Sequence, residues 1–257
     1  MEEVKRKEVL RIEELHKRFG ALVVLNNVSF NIYKGEFICA LGPSGCGKTT
    51  ILRIIAQLVP LDEGRIFIHG NELITDSYLS DLSVVFQEPR LLYWRTVEEN
   101  VKLALELKKG MVSDRDEVVV SKALSMVGLA DFADAFPHEL SGGMKQRAAL
   151  ARALVTEPSI LLMDEPLTGL DLRTREDLQD EILRIWKARD MTAIFVTHDP
   201  LEVIYMADRI IVLSDRPTRV KEVLKVSLER PRNRDDPRIK ELEKYIRDLF
   251  DYKNMVQ

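Results

Sequence analysis

Eight residues, Gly42-Pro43-Ser44-Gly45-Cys46-Gly47-Lys48-Thr49, carry the groups that would cradle a polyphosphate. They fit G-x-x-x-x-G-K-[ST], a pattern that chance places in about one chain in a hundred of this length. Glycines let backbone N–H groups curl around a phosphate without Cβ clashes, and a helix starting at Thr49 and Thr50 adds the positive end of its dipole. Lys48 suits the β- and γ-phosphates, and the Thr49 hydroxyl suits Mg2+. A second group closes the run Ile160-Leu-Leu-Met-Asp164-Glu165. Strand alternation would point these carboxylates in different directions. Asp164 then suits a Mg2+ shell and Glu165 suits polarising the attacking water as a general base. Alone, such a pair is equally a solvated turn; beside a phosphate loop it reads as catalytic. The third group is Leu140-Ser-Gly-Gly-Met144, ahead of KQRAALARAL. Ser141 can cap that helix, and Gly142 and Gly143 leave amides unobstructed, which makes a second anion-binding helix start. Two phosphate-facing surfaces in one chain suggest a nucleotide shared between two subunits.

These groups need strands and helices to present them. Residues 37–41 (FICAL) form an apolar run ending at the phosphate loop, as a buried parallel strand would, and TTILRIIAQL follows as a helix. Residues 22–32 and 64–70 show the alternation of half-buried strands, and 82–86 a further strand. Thr96 and Glu99 form a capping box before VKLALELK, and 117–127 repeats apolar positions at helical spacing. Then strand and helix alternate: SILLM, a helix around Leu178, Ile182 and Ile185, TAIFVT, a short helix after Pro200, and RIIVL. Such alternation implies a parallel sheet with helices on its faces. ERPRNRDDP reads as an extended charged connector and IKELEKYIRDLF as a short amphipathic helix.

The 257 residues hold 38 basic and 42 acidic side chains, a formal charge of −4. That balance disfavours nucleic acid as a partner. No run of about 18 apolar residues occurs and MEEVKRKEVL has no apolar signal core, so a soluble, cytosolic polypeptide is expected. Cys39 and Cys46 have neither metal nor disulfide spacing; Cys39 reads as a small core residue. No linker or repeat divides the chain, so 1–257 reads as one unit.

In this order the motifs resemble the ATP-binding subunit of ABC transporters over nearly the whole chain. The resemblance implies an α/β fold: a P-loop NTPase (RecA-like) core with an N-terminal antiparallel β subdomain and an inserted α-helical signature subdomain. Residues 1–87 and 157–228 would form the core, 88–156 the helical subdomain and 229–257 a charged tail. In that family the LSGGQ signature of one subunit closes over ATP held by the phosphate loop of the other. Met144 stands here for the Gln, and the family's phosphate contacts fall on Ser141 and Gly143. Phe19 matches the ring that stacks on adenine, although a lone Phe near a strand also suits a core. Gln87, at the end of SVVFQ, matches the residue that senses Mg2+ and the transport partner. His198, in FVTHD, matches the histidine on the γ-phosphate, and Asp171, in TGLD, the loop that reaches across the dimer. Gly169 stands where the family more often has Ala. Cys46 lies at a variable position of the loop.

The family implies a homodimer around two MgATP, separate integral-membrane permease subunits, and a periplasmic or extracellular solute-binding protein acting indirectly. It places the chain on the cytoplasmic face of the membrane. EPRLLYWRTVEENV matches the segment that receives the permease's coupling helix. Leu92, Tyr93 and Trp94 would line that groove or be buried locally, with Tyr93 where Pro is usual. HDPLEVIYMADRIIVLSDRPTRV and RPRNRDDP resemble the importer branch for nitrate, taurine and other sulfonates, or thiamine-precursor pyrimidines. About 45 residues after RIIVL are too few for an appended regulatory domain. Two alternatives are a non-transport ABC ATPase, of DNA repair or iron–sulfur assembly, and a small-molecule kinase or GTPase. Repair members carry a long coiled coil, not seen here, and translation-associated relatives carry two cassettes against one here; the signature and Asp164–Glu165 argue against the second alternative.

Overall fold

Apolar runs without a polar residue bury well only as strands covered on both faces, and the computed structural model of the chain places them so. It describes residues 7–73, 81–110 and 113–250. The chain divides into two compact units, Met1–Asp76 with Ile194–Gln257, and Ser77–Ala193.

In the first unit, β3 (Phe37–Leu41) is buried along its whole length. So is β8 (Thr192–Thr197), which enters this unit at Ile194. β9 (Arg209–Leu213) runs parallel to β3, with Ile38 opposite Arg209 and Leu41 opposite Val212. β10 (Val220–Lys225) pairs antiparallel with β9, giving the order β10-β9-β3-β8. A separate sheet has the order β2-β1-β4-β5, built from β1 (Glu8–Phe19), β2 (Leu22–Tyr33), β4 (Glu63–Ile68) and β5 (Asn71–Glu72). Its register sets Phe19 opposite Leu22 and Leu10 opposite Ile68. The helices here are α1 (Lys48–Ile55), α6 (Pro200–Met206) and α7 (Pro237–Leu249).

The second unit pairs β6 (Leu82–Val85) with β7 (Ile160–Asp164) in parallel, Leu82 opposite Ile160. Its helices are α2 (Val97–Lys109), α3 (Asp114–Met126), α4 (Gly142–Leu154) and α5 (Leu172–Arg189). The capping box at α2 is formed: the Thr96 hydroxyl accepts the Glu99 N–H at 3.2 Å, and the Glu99 carboxylate accepts the Thr96 N–H at 2.8 Å. α5 buries Leu178, Ile182 and Ile185, one stripe at helical spacing. Among the described residues no helix is long and apolar enough to cross a membrane.

Three sequence expectations need correction. The helix after the phosphate loop stops at Ile55 and does not run through Leu58. Gln57 turns left-handed (φ 56°), and the Leu58 N–H folds back onto the Arg53 carbonyl at 2.8 Å, a closure that ends helices. β6 ends at Val85, so Gln87 lies two residues beyond the strand, exposed in a bend. The connector ERPRNRDDP is not merely extended and solvated. Arg232 is buried within it, because its forked donors meet backbone carbonyls that would otherwise lack partners.

Candidate nucleotide site

The candidate residues fall in both units: the phosphate loop, Phe19 and His198 in the first, and Gln87, Ser141–Gly143, Asp164, Glu165 and Asp171 in the second.

The phosphate loop leaves the buried end of β3 and closes on α1. Gly47 adopts φ 116°, and a Cβ there would meet Val24 Cγ1 at 2.9 Å and Leu25 Cδ2 at 3.0 Å, so both conformation and packing demand glycine. The Thr218 hydroxyl donates to the Cys46 carbonyl and pins the loop from behind. Lys48 is almost wholly buried, and its Nζ donates to the Gly42 and Pro43 carbonyls at 2.9 Å each. An ammonium is thereby held at the loop's own mouth. Thr49 and Thr50 occupy the first turn of α1, while Ser44 and Gly45 are exposed at the loop tip. Cys46 is buried instead: a Cβ on Gly42 would lie 2.8 Å from its Sγ, and its N–H is spent on the Pro43 carbonyl. Burial pushes its thiol pKa up, the direction of a packed structural cysteine.

Phe19 ends β1 with 50% of its surface exposed, which excludes the core reading. The Lys17 ammonium sits 5.3 Å from its ring centre and donates to Asp62 at 2.5 Å. Asp62 also accepts the Arg18 N–H at 2.6 Å. These bonds, Lys17's first, hold the Asp62 carboxyl below the usual carboxylate range. A carboxyl with a folded pKa below its unfolded one stabilises at neutral pH and loses that contribution as pH falls through the folded value. Asp62→Asn is therefore expected to lower the urea midpoint at neutral pH and to match wild type once the medium is more acid than that range. Equal offsets at both pH values would contradict the assignment.

His198 is exposed directly after β8, between two residues fixed by hydrogen bonds. The Thr197 hydroxyl donates to Glu202 at 2.5 Å and accepts the Asp199 N–H at 3.1 Å.

In the second unit Asp164 is the last, buried residue of β7. Glu165 is outside the strand, at φ 45°, and its carboxylate accepts the Thr168 hydroxyl at 3.3 Å. The backbone turns left-handed at Glu165, outside the strand, so strand alternation does not set the direction of its carboxylate. A left-handed non-glycine residue costs energy and persists where its surroundings hold it, commonly at functional sites. Asp171 caps α5, accepting the Thr174 N–H at 3.1 Å; the Thr174 hydroxyl first, and this N–H second, hold its carboxyl below the usual range. Ser141 caps α4 as expected, accepting the Met144 N–H at 3.3 Å. Gly142 is exposed, but Gly143 is buried, and a Cβ on it would lie 2.5 Å from Thr174 Cγ2. Its missing side chain serves the packing of α4 on α5.

The segment carrying Gln87 is tied to α4. Gln146 donates to the Phe86 carbonyl at 3.2 Å, and Arg152 to those of Pro89 and Arg90 at 2.7 and 2.8 Å. Asn100, wholly buried in α2, accepts the Leu92 N–H and donates to the Leu92, Arg95 and Thr96 carbonyls. This brace holds Tyr93 and Trp94 outward, 67% and 73% exposed, while Leu92 is half-buried. The sequence reading missed Asn100; its one legible signal is a polar residue among the apolar positions Val97, Val101 and Leu105 of one helix face.

A phosphate loop on a buried strand, an acidic strand end and a capped glycine turn define a P-loop NTPase of the α/β, RecA-like class. The ABC transporter family model matches residues 25–168. An uncharacterised ABC transporter ATP-binding protein of Methanocaldococcus jannaschii is 45% identical over 245 residues, 94% of this chain and 91% of its own. The aliphatic sulfonates import ATP-binding protein SsuB of Bacillus cereus is 41% identical over 241 residues, 94% of each chain. The dimeric structure of MJ0796, a bacterial ABC transporter cassette, superposes with a TM-score of 0.77 at 32% identity, covering 86% of this chain and all of that one. The chain belongs to the ABC transporter family, as an ATP-binding and ATP-hydrolysing subunit related to the sulfonate importer ATPases. Its fold is the ABC-ATPase fold with an N-terminal β subdomain and an inserted helical subdomain.

Proposed function

We propose that two copies of the chain sandwich two ATP molecules, and that hydrolysis powers import of a small solute through separate membrane subunits. In this reading residues 1–87 and 157–228 act as core, 88–156 as signature subdomain and 229–257 as tail. Lys48 trades its two loop carbonyls for the β- and γ-phosphates, and backbone N–H groups of the loop and of the first turn of α1 close around them. Phe19 stacks on adenine. Ser141, Gly142 and Gly143 of the opposing copy meet the γ-phosphate, and Asp171 reaches across the dimer. Glu165 takes the proton of the attacking water, and His198 contacts the γ-phosphate. Thr49, Gln87 and Asp164 offer oxygen donors, the ligand type Mg2+ takes, in the small number it uses beside phosphate oxygens. Among the described residues no cluster of three His, Cys, Asp or Glu could hold a metal alone, so the cation would be shared with the nucleotide. When bound, Mg2+ neutralises phosphate charge. ATP favours the closed dimer, and loss of the γ-phosphate lets it open.

The observation that carries the import reading is the Tyr93–Trp94 turn, two exposed aromatic rings held outward by Asn100 beside the Gln87 segment. Large exposed aromatics suit a protein interface. The similarity to SsuB favours a small anionic solute of the nitrate, sulfonate or taurine kind over a thiamine-precursor pyrimidine. The chain would then lie peripherally on the cytoplasmic face, with the solute-binding protein acting only through the permease. Replacing both Tyr93 and Trp94 with Ala is expected to weaken co-purification with the membrane subunits at least about 30-fold, as loss of an aromatic hot spot does. Unchanged recovery of the permease would overturn the docking assignment.

A further inference from the structure

Arg230, Arg232 and Arg234 alternate along the segment after β10, and all three reach the C-terminal end of α6. Arg232 donates from Nη1 to the Ile204 and Tyr205 carbonyls at 2.7 and 3.0 Å, from Nε to Leu228 at 3.1 Å and from Nη2 to Val226 at 3.5 Å. Arg230 donates to the Met206 carbonyl and pairs with Asp208. The Arg234 guanidinium lies 3.6 Å from the centre of the Tyr205 ring. Three consecutive carbonyls of the last turn of α6 are thus served by two cations. A helix end has carbonyls without intrahelical partners and a negative dipole end, so cations stabilise it. Often a glycine closes such an end; here Ala207 continues in extended conformation and the arginines close it instead. Burial, with Arg230's like charge second, pushes the Arg232 pKa down to about 10, which leaves it a cation at neutral pH.

The other end of α6 begins two residues after His198, with only its cap between them. Asp199 caps it, accepting the Leu201 N–H at 2.9 Å, and Glu202, buried on the helix, receives the Thr197 hydroxyl. A helix of seven residues has little stability of its own, so its placement comes from what holds its ends. Asp208, Arg230's partner, accepts the Phe37 N–H at 2.9 Å, and its own N–H donates to the Phe37 carbonyl at 2.7 Å. Phe37 opens β3, the strand that delivers the phosphate loop. All three arginines therefore bear on α6, and Arg230 through Asp208 bears also on β3, the two structures of this unit that would meet the γ-phosphate.

We infer that Arg230, Arg232 and Arg234 form a strap that positions His198 for the γ-phosphate, which makes the tail part of the turnover machinery. The inference rests on the reading of His198 given above. The arginines are positioning residues: they touch α6 and Asp208, not the nucleotide. Lysine cannot replace them fully, because one ammonium cannot span the carbonyls that a guanidinium fork reaches.

The test is steady-state ATP turnover by the full chain for Arg232→Met, Arg232→Lys, Arg234→Ala and His198→Ala, and for Arg232→Met combined with His198→Ala. Nucleotide-binding stoichiometry gives the concentration of folded sites. Arg232→Met is expected to lower kcat per folded site about tenfold, the scale of a misplaced catalytic group, with KM for ATP within about twofold. Arg232→Lys should recover only part of the loss, and Arg234→Ala should lower kcat about twofold to threefold. In the His198→Ala background Arg232→Met should cost less than about twofold more, since the two act through one contact. A wild-type kcat for Arg232→Met, the same fold-loss in both backgrounds, or a raised KM at unchanged kcat would each overturn the strap. If Arg232→Met does not fold, the half-buried Arg234 decides, and a wild-type kcat for Arg234→Ala overturns it. A wild-type kcat for His198→Ala would overturn the histidine's role itself. An inactive His198→Ala beside a fully active Arg232→Met overturns the strap alone.

Discussion

Replacing Glu165 with Gln is expected to lower ATP turnover about 10²–10⁴-fold, the range lost with a general base, while ATP affinity stays at the wild-type value. Glutamine keeps the size of the side chain and an oxygen that can accept the Thr168 hydroxyl. The left-handed backbone at Glu165 and the buried Asp164 before it are untouched. Only the capacity to take a proton from water is removed. Phosphate release at saturating MgATP, with nucleotide affinity measured in parallel, separates the two effects. A variant hydrolysing at the wild-type rate would end the assignment of Glu165 as base.

The second large effect is expected at the signature turn. Gly143→Val would place a Cβ 2.5 Å from Thr174 Cγ2, so the first turn of α4 must move away from α5. That turn carries the Ser141 cap and the amides offered to phosphate. Losing aligned donors to a developing phosphate charge costs about 10²–10³-fold in turnover. ATP affinity of the single chain should hardly change, because Lys48 and the loop from Gly42 are elsewhere in the sequence and keep their own bonds. Gly142→Ala is the contrast: its Cβ would meet only Leu170 at 3.8 Å, an ordinary contact. A Gly143→Val chain as active as wild type would remove the signature from the site.

Where the chemistry lies in one short stretch, the sequence alone was enough to read it. The phosphate loop, the acidic strand end and the Ser141 turn are each contiguous, and their residue types follow from local geometry: glycine at Gly47 for φ 116°, serine at Ser141 for a cap. The apolar strands β3, β7 and β8 were equally plain, because strands buried on both faces are apolar through their interiors and carry polar residues only at their ends. Features made by distant partners were not. β1 reads EVLRIEELHKRF, a mixture of charge and apolar residues, and Lys17 points inward only because Asp62, 45 residues on, receives it. Asn100 braces a turn that precedes its own helix. The arginines of RPRNR look like solvated charge until α6 supplies the carbonyls. Glu165 sits on a left-handed backbone just past β7, which no residue type announces.

In the proposed dimer neither copy holds a complete site alone. Light scattering of the Glu165→Gln chain, with and without MgATP, tests it most directly, since turnover no longer consumes the ligand that joins the copies. The mass is expected near that of one 29.5 kDa chain without nucleotide and at about twice that with MgATP. A mass that stays at one chain in saturating MgATP would contradict it.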